Sequence, residues 1–237
     1  MAETSAQRRP APGPPAPEST AVEPETHFCA RGPSGVSLDG RGLALVYCAS
    51  PPLLAASLRG AHATAQPVFY GAVPAAWGAA GLTQRTAVAA VAYRLTLTQG
   101  FAYGLIMGVK HAVGRPRPYV TRPLQARARR HPAPGRAQLS FPSGHAGLAA
   151  ALVTSWGLSH PRWYVVGPGA LWATGVALSR LYLGVHYPSD ALAGAAIGAG
   201  VALLVHQLRR VLTPPRLQAS AHPVRLRAPP LLLRLQF

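Results

Sequence analysis

The chain has 237 residues, of which 49% are hydrophobic and only 12% charged, about half the charged share of an ordinary soluble domain. Its formal net charge of +17 comes from arginines gathered in tails and loops between apolar runs, a distribution that argues against nucleic acid as a partner and for anionic lipid headgroups or a phosphorylated substrate. Cys29 and Cys48 stand without paired spacing, so neither a disulfide framework nor a zinc site is expected.

Residues 1–41 are rich in Pro, Ala, Glu and Ser and show no apolar periodicity, the composition of a disordered leader. A first apolar run, 42–58, has the length of a short spanning helix kinked at Pro51-Pro52. The alternative is a late signal sequence cleaved after Ala63-Thr64-Ala65; the long preceding region and Arg59 at the end of the run count against it. Further runs follow at 68–82, 86–109, 146–158, 163–178 and 188–206, six in all. Several fall short of the roughly 20 residues of a usual span, but abundant Gly and Ala allow helices to approach closely in lipid. The expected fold is therefore all-α: a polytopic membrane helical bundle of about six transmembrane helices over 42–208, followed by a basic tail, 209–237. Arg94, inside the third run, either snorkels to the interface or faces the bundle interior.

Six spans place both termini on one side, together with Arg85 and Arg162, and bring the connections 110–145 and 179–187 together on the other. The arginines at 209, 210, 216, 225, 227 and 234 favour cytoplasmic termini. The loop 110–140 opposes that orientation with eight basic residues, Lys110, Arg115, Arg117, Arg122, Arg127, Arg129, Arg130 and Arg136, unless part of that charge serves a phosphate site. The orientation expected is a bacterial inner (cell) membrane with that loop facing the periplasm or exterior.

Three stretches on the loop side carry chemistry. Lys110 is the only lysine of the chain, and Arg117-Pro118 follows seven residues later. An ammonium is a compact point charge that a guanidinium does not replace, and the two cations can meet one anion; the plainer reading is a basic collar for lipid headgroups. Pro142-Ser143-Gly144-His145 opens the fourth run. Free N–H groups at a helix start, a hydroxyl and a glycine allowing close approach make an anion site, with His145 placed to exchange a proton; the same residues also suit an ordinary turn before a helix. The third stretch, Ser179 to Asp190, gathers Arg180, His186 and the only carboxylate after Asp39. Pro188 suits the first position of a helix, which puts Asp190 in the first turn, within reach of His186 to fix one imidazole tautomer by a hydrogen bond. Alternatively, Asp190 is only a cap.

In this order, the K-x6-RP, PSGH and SR-x5-H-x3-D patterns at Lys110–Pro118, Pro142–His145 and Ser179–Asp190 resemble the type 2 phosphatidic acid phosphatase family, part of the lipid phosphate phosphatase and vanadium haloperoxidase-like superfamily. The resemblance covers about 42–208 and implies an acid phosphatase/vanadium haloperoxidase-like core. It further implies that His186 is the nucleophile that becomes phosphohistidine, that Asp190 orients it and that His145 protonates the leaving oxygen. Lys110, Arg117, Arg180, Ser143 and the Gly144 N–H would hold the phosphate. No cofactor and no metal are expected: the membrane body offers Asp190 as its one carboxylate, too few to hold two ions. The expected partners are the bilayer and a lipid phosphate, whether phosphatidic acid, phosphatidylglycerol phosphate, a polyprenyl diphosphate or a lipid A phosphate. Rival readings are a vanadate-dependent haloperoxidase, an intramembrane serine protease using Ser143 with His186, and a catalytically silent lipid-binding or transport protein.

Overall fold

The computed structural model describes residues 28–29, 37–48, 51–121, 124, 127 and 139–218. Eight α-helices follow in chain order among them: α1 (Leu38–Cys48), α2 (Pro52–Thr83), α3 (Thr86–Val113), α4 (Pro118–Thr121), α5 (Gly144–Ser159), α6 (Trp163–Tyr182), α7 (Pro188–Gln207) and α8 (Arg209–Leu212), with a 3-10 turn at Pro215–Leu217. The remainder of the leader and of the basic tail lies outside the described residues, as do Arg122, Arg129, Arg130 and Arg136 of the basic loop.

Local chemistry sets the helix ends that matter most. α3 stops at Gly114, whose left-handed φ of 64° lets its N–H close back on the Lys110 carbonyl at 3.1 Å. α5 starts after Ser143, whose side chain accepts from the Ala146 N–H at 3.5 Å. α7 starts at Pro188, as its fixed φ and missing N–H favour.

The first two apolar runs depart from expectation. The first is not one kinked span: α1 ends at Cys48, and α2 begins at Pro52 and continues through the second run to Thr83, with Pro67 and Pro74 inside it. Each proline removes one backbone hydrogen bond, a loss that packed neighbours in a helical bundle tolerate. Ala63 to Ala65 lie within this helix, and Ala65 is fully buried in a cluster with Ala149 and Val176, so small side chains here serve close packing. Fusing two runs removes one crossing and changes the parity. Asp39 of α1 accepts from the Ser189 backbone N–H at 2.9 Å and from Arg115 at 2.8 Å, so α1 lies at the end of the bundle that carries the three motifs, not opposite it.

The cysteines also correct the sequence reading, since Cys29 and Cys48 form a disulfide. Their separation of 19 residues matches no motif; the contact follows from Phe28 packing edge-on against Tyr47 at 5.9 Å.

Among the described residues α7 is the one helix long and apolar enough to cross a membrane unaided, and α1 with α2 passes as a pair bent by 106°. The expected count of about six spans does not follow from helix hydropathy. α5 has only 16 residues, and α3 interrupts its apolar face with Arg94, Gln99 and Lys110.

Helix α5 is central, packing against α3, α6 and α7. Glycines make its contact with α7 a meeting of backbones. A Cβ on Gly194 would lie 2.2 Å from the Ser143 carbonyl oxygen, and one on Gly198 would lie 1.9 Å from that of Gly147. This contact holds the start of α5 against the second and third turns of α7.

Candidate active site

Backbone geometry explains the spacing of the third motif. α6 ends in a turn in which Gly184 takes a φ of 68°, a conformation costly for any side chain. The chain thereby folds back so that the Val185 and His186 N–H groups donate to the Arg180 carbonyl at 3.1 and 3.3 Å. His186 and Arg180 are thus placed side by side, both buried.

The other motifs are tied to this turn. The Ser143 N–H donates to the Asp190 carbonyl at 2.8 Å, joining the second motif to the third. The Lys110 ammonium donates to the carbonyls of Pro142 at 2.8 Å, Leu139 at 3.3 Å and Ser140 at 3.4 Å, and Arg117 Nε donates to Leu139 at 3.3 Å. Both cations of the first motif therefore hold the approach to the second, and their charges stay within it. The Ser140 N–H closes the same corner on the Arg115 carbonyl at 2.7 Å.

All eight expected site residues come together at this end of the bundle, but one contact differs. His186 Nδ1 is 3.7 Å from Asp190 Oδ2, too far for the expected direct hydrogen bond. That carboxylate oxygen instead accepts the Tyr187 N–H at 2.8 Å, capping its own helix, and also accepts from the Ser140 hydroxyl. Asp190 Oδ1 takes Arg115 at 2.8 Å. With its proton directed to Asp190, Ser140 Oγ presents lone pairs to His186 Nδ1 at 3.4 Å. The proton of the imidazole then sits on Nδ1, leaving the Nε2 lone pair free.

Burial pushes the His186 imidazole down to about 3; Asp190 opposes this shift, and the positive charges of Arg180, Arg117 and Lys110 add to it. The ring is therefore neutral, the nucleophilic form, across the physiological range. His145 lies within electrostatic reach of Arg180, His186, His62 and Arg117, and among the described residues its buried Nε2 has no hydrogen-bond partner, nor does the buried Nε of Arg180. Below His145 a cavity of about 340 Å³ opens between α2 and α3, lined by Phe69, Ile106 and Leu148 with Gln66, Gln99 and Tyr103.

Four residues at the site were not singled out as site residues in the sequence. Ser140 lies two positions before Pro142, and a hydroxyl so close to the second motif is a usable signal. Arg115 joins Asp190 to Asp39 of α1; it hid among the basic residues of the loop, and Asp39 within the leader. His62 of α2 accepts from Arg180 at 2.9 Å through Nδ1, and its ring lies 6.3 Å from that of His145. Nothing in sequence marks this histidine, which is 118 residues from the arginine it meets.

The family model of the PAP2 superfamily matches residues 87–214. The decaprenylphosphoryl-5-phosphoribose phosphatase of Mycobacterium tuberculosis is 47% identical over 70 residues, 29% of this chain and 36% of that one, so the match spans about a third of the relative. The crystal structure of Aquifex aeolicus LpxE superposes with a TM-score of 0.58 at 23% identity, over 73% of this chain and 97% of that one. A PAP2-type phosphatidylglycerolphosphate phosphatase from Bacillus subtilis superposes at 0.59 with 22% identity, over 73% and 85%. At such identities the two structures establish the shared fold.

Proposed function

This chain belongs to the PAP2 superfamily, and from that premise we propose that it is an integral membrane phosphatase that hydrolyses a lipid phosphomonoester or diphosphate through a phosphohistidine, without a metal. The observation that carries this reading is the pair of unpartnered buried atoms, Arg180 Nε and His145 Nε2, beside a neutral buried imidazole. Orphaned polar atoms cost free energy, and a phosphate supplies acceptors for Arg180 and an ester oxygen for His145.

In the reaction His186 Nε2 attacks phosphorus, forming the P–N bond as the bond to the ester oxygen breaks. The leaving oxygen takes a proton from His145, which enters the step as an imidazolium held beside the negative charge of the phosphate and is left neutral. Water then attacks phosphorus, giving a proton to His145; the P–N bond breaks and its electron pair returns to Nε2. Throughout, the Nδ1 proton faces Ser140 and Asp190, which favour the positive charge on the ring. Lys110, Arg117, Arg180, the Ser143 hydroxyl and the Gly144 N–H stabilise the charge on the phosphoryl oxygens. The metal-free reading rests on the side chains available: the described carboxylates are Asp39 and Asp190, both engaged by Arg115, and no cluster of three potential ligands occurs among the described residues.

A lipid substrate fits the cavity below His145, which offers an apolar path into the bundle. Exposed Tyr70, Trp163, Leu171 and Leu192 suit a lipid-facing surface. The relatives named above act on different lipid headgroups, so the lipid class is the shared part. The site faces the cell exterior, because the disulfide belongs to α1 at the same end and disulfides persist in oxidising compartments.

Purified protein in detergent with excess EDTA is expected to release inorganic phosphate from at least one of phosphatidic acid, phosphatidylglycerol phosphate and a polyprenyl diphosphate. His186→Ala should abolish release, and His145→Ala should accumulate an acid-labile phosphoenzyme. A strict magnesium requirement, or turnover surviving in His186→Ala, would refute the mechanism.

A further inference from the structure

The far end of the bundle holds a second basic chamber that the proposed reaction does not use. Arg94 of α3, flagged in sequence as awkward inside an apolar run, lies 16 residues before Lys110, about 24 Å along the helix. It faces a cavity of about 550 Å³ closed on its other side by Arg209, Arg210, Thr213 and Gln218.

Among the described residues the charges here have no counterions. Arg94 and Arg209 are close enough to repel each other, and the only described carboxylates, Asp39 and Asp190, belong to the catalytic end. Arg209 donates to the His206 carbonyl at 2.9 Å, and Gln218 closes the turn by donating to the carbonyls of Arg210 and Thr213. The Thr213 hydroxyl, on a residue only 3% exposed, lines the chamber and has no partner among the described residues. Three guanidinium groups without a carboxylate and one buried hydroxyl without a partner are a donor set awaiting acceptor oxygens.

We propose that this chamber binds a phosphate group, carried on the headgroup of an anionic lipid in the leaflet opposite the active site or free in solution. Guanidinium forks match phosphate oxygens in pairs, and basic pockets between membrane helices are known to hold anionic headgroups. The hydroxyl of Thr213 supplies a further hydrogen bond to the same oxygens. Bound phosphate ties α3 to α8 and thereby braces the bundle at the end away from the reaction.

The test is thermal unfolding of purified protein in detergent with added phosphatidylglycerol, phosphatidylcholine or inorganic phosphate. Phosphatidylglycerol should raise the Tm by about 5 °C at saturation, whereas phosphatidylcholine should not. A rise with phosphatidylglycerol alone identifies a lipid headgroup, and an equal rise with inorganic phosphate identifies a free anion. Arg94→Gln and the double variant Arg209→Gln/Arg210→Gln should lose most of the rise while retaining wild-type phosphate release. The double variant alters two exposed side chains, so it decides the matter even if Arg94→Gln unfolds. Equal stabilisation of wild type and the double variant, or equal effects of both lipids, would overturn the proposal.

Discussion

At the scale of single residues, the site depends on two side chains that act through others. His62 accepts from Arg180 through Nδ1, and arginine only donates, so the ring is neutral with its proton on Nε2. His62→Asn keeps an acceptor near the Nδ1 position, whereas His62→Phe keeps the bulk and removes the acceptor. A hydrogen bond to a charged group contributes about 1.5–3 kcal/mol, so the Phe variant should lose roughly 10- to 100-fold, chiefly in kcat, if Arg180 meets charge that develops during phosphoryl transfer. The Asn variant should stay within a few-fold of wild type; wild-type turnover in the Phe variant, with the loss confined to Asn, would mean that His62 only fills space. Ser140→Ala removes the group between His186 and Asp190, and steady-state kinetics should show kcat reduced about tenfold or more with KM little changed. The motif residues were legible in sequence because their chemistry is rare there: one lysine, and one carboxylate after Asp39. Arg115 and His62 were not, because arginine and histidine have ordinary uses elsewhere in the chain and only the fold brings these two to the site; Ser140 had only its nearness to the second motif to mark it.

At the scale of elements, the geometry of the proposed site rests on the glycine contact between α5 and α7. A Cβ on Gly194 would overlap the Ser143 carbonyl, whereas one on Gly200, on the same helix, meets nothing within 4 Å. Overpacking against backbone costs about 1–3 kcal/mol, so Gly194→Ala should lower the Tm by several degrees. It should also reduce phosphate release, by displacing the residue that opens α5. Gly200→Ala should leave both unchanged or raise the Tm slightly; matching effects of the two substitutions in a calorimetric scan would show that helix propensity, not contact, governs this interface. The starts of α5 and α7 were readable from Pro, Ser and Asp at their first turns. The fusion of two apolar runs into α2 was not, because Pro51-Pro52 signals a break equally well as a kink or as a new helix start, and prolines at 67 and 74 signal breaks that packing overrides.

At the scale of the whole molecule, α3 is the ruler: Lys110 stands at the catalytic end and Arg85, its N-cap, at the other, 25 residues away, about 38 Å along a helix. The bundle can therefore present the two ends to different compartments. The sequence left orientation in conflict, with basic charge on both sides, and the pairing of Cys29 with Cys48 adds the evidence that charge did not supply. Both cysteines belong to the catalytic end through α1, which Asp39 ties to Arg115 and Ser189. Disulfides persist chiefly in oxidising spaces, which is the side the proposed orientation gives to that end. Intact cells treated with a reductant and then a membrane-impermeant maleimide should label the native cysteines without lysis. A Cys29→Ser/Cys48→Ser/Arg85→Cys protein should label only after the membrane is opened. The reverse pattern would place the catalytic end on the cytoplasmic side, and with it the phosphate that the enzyme releases.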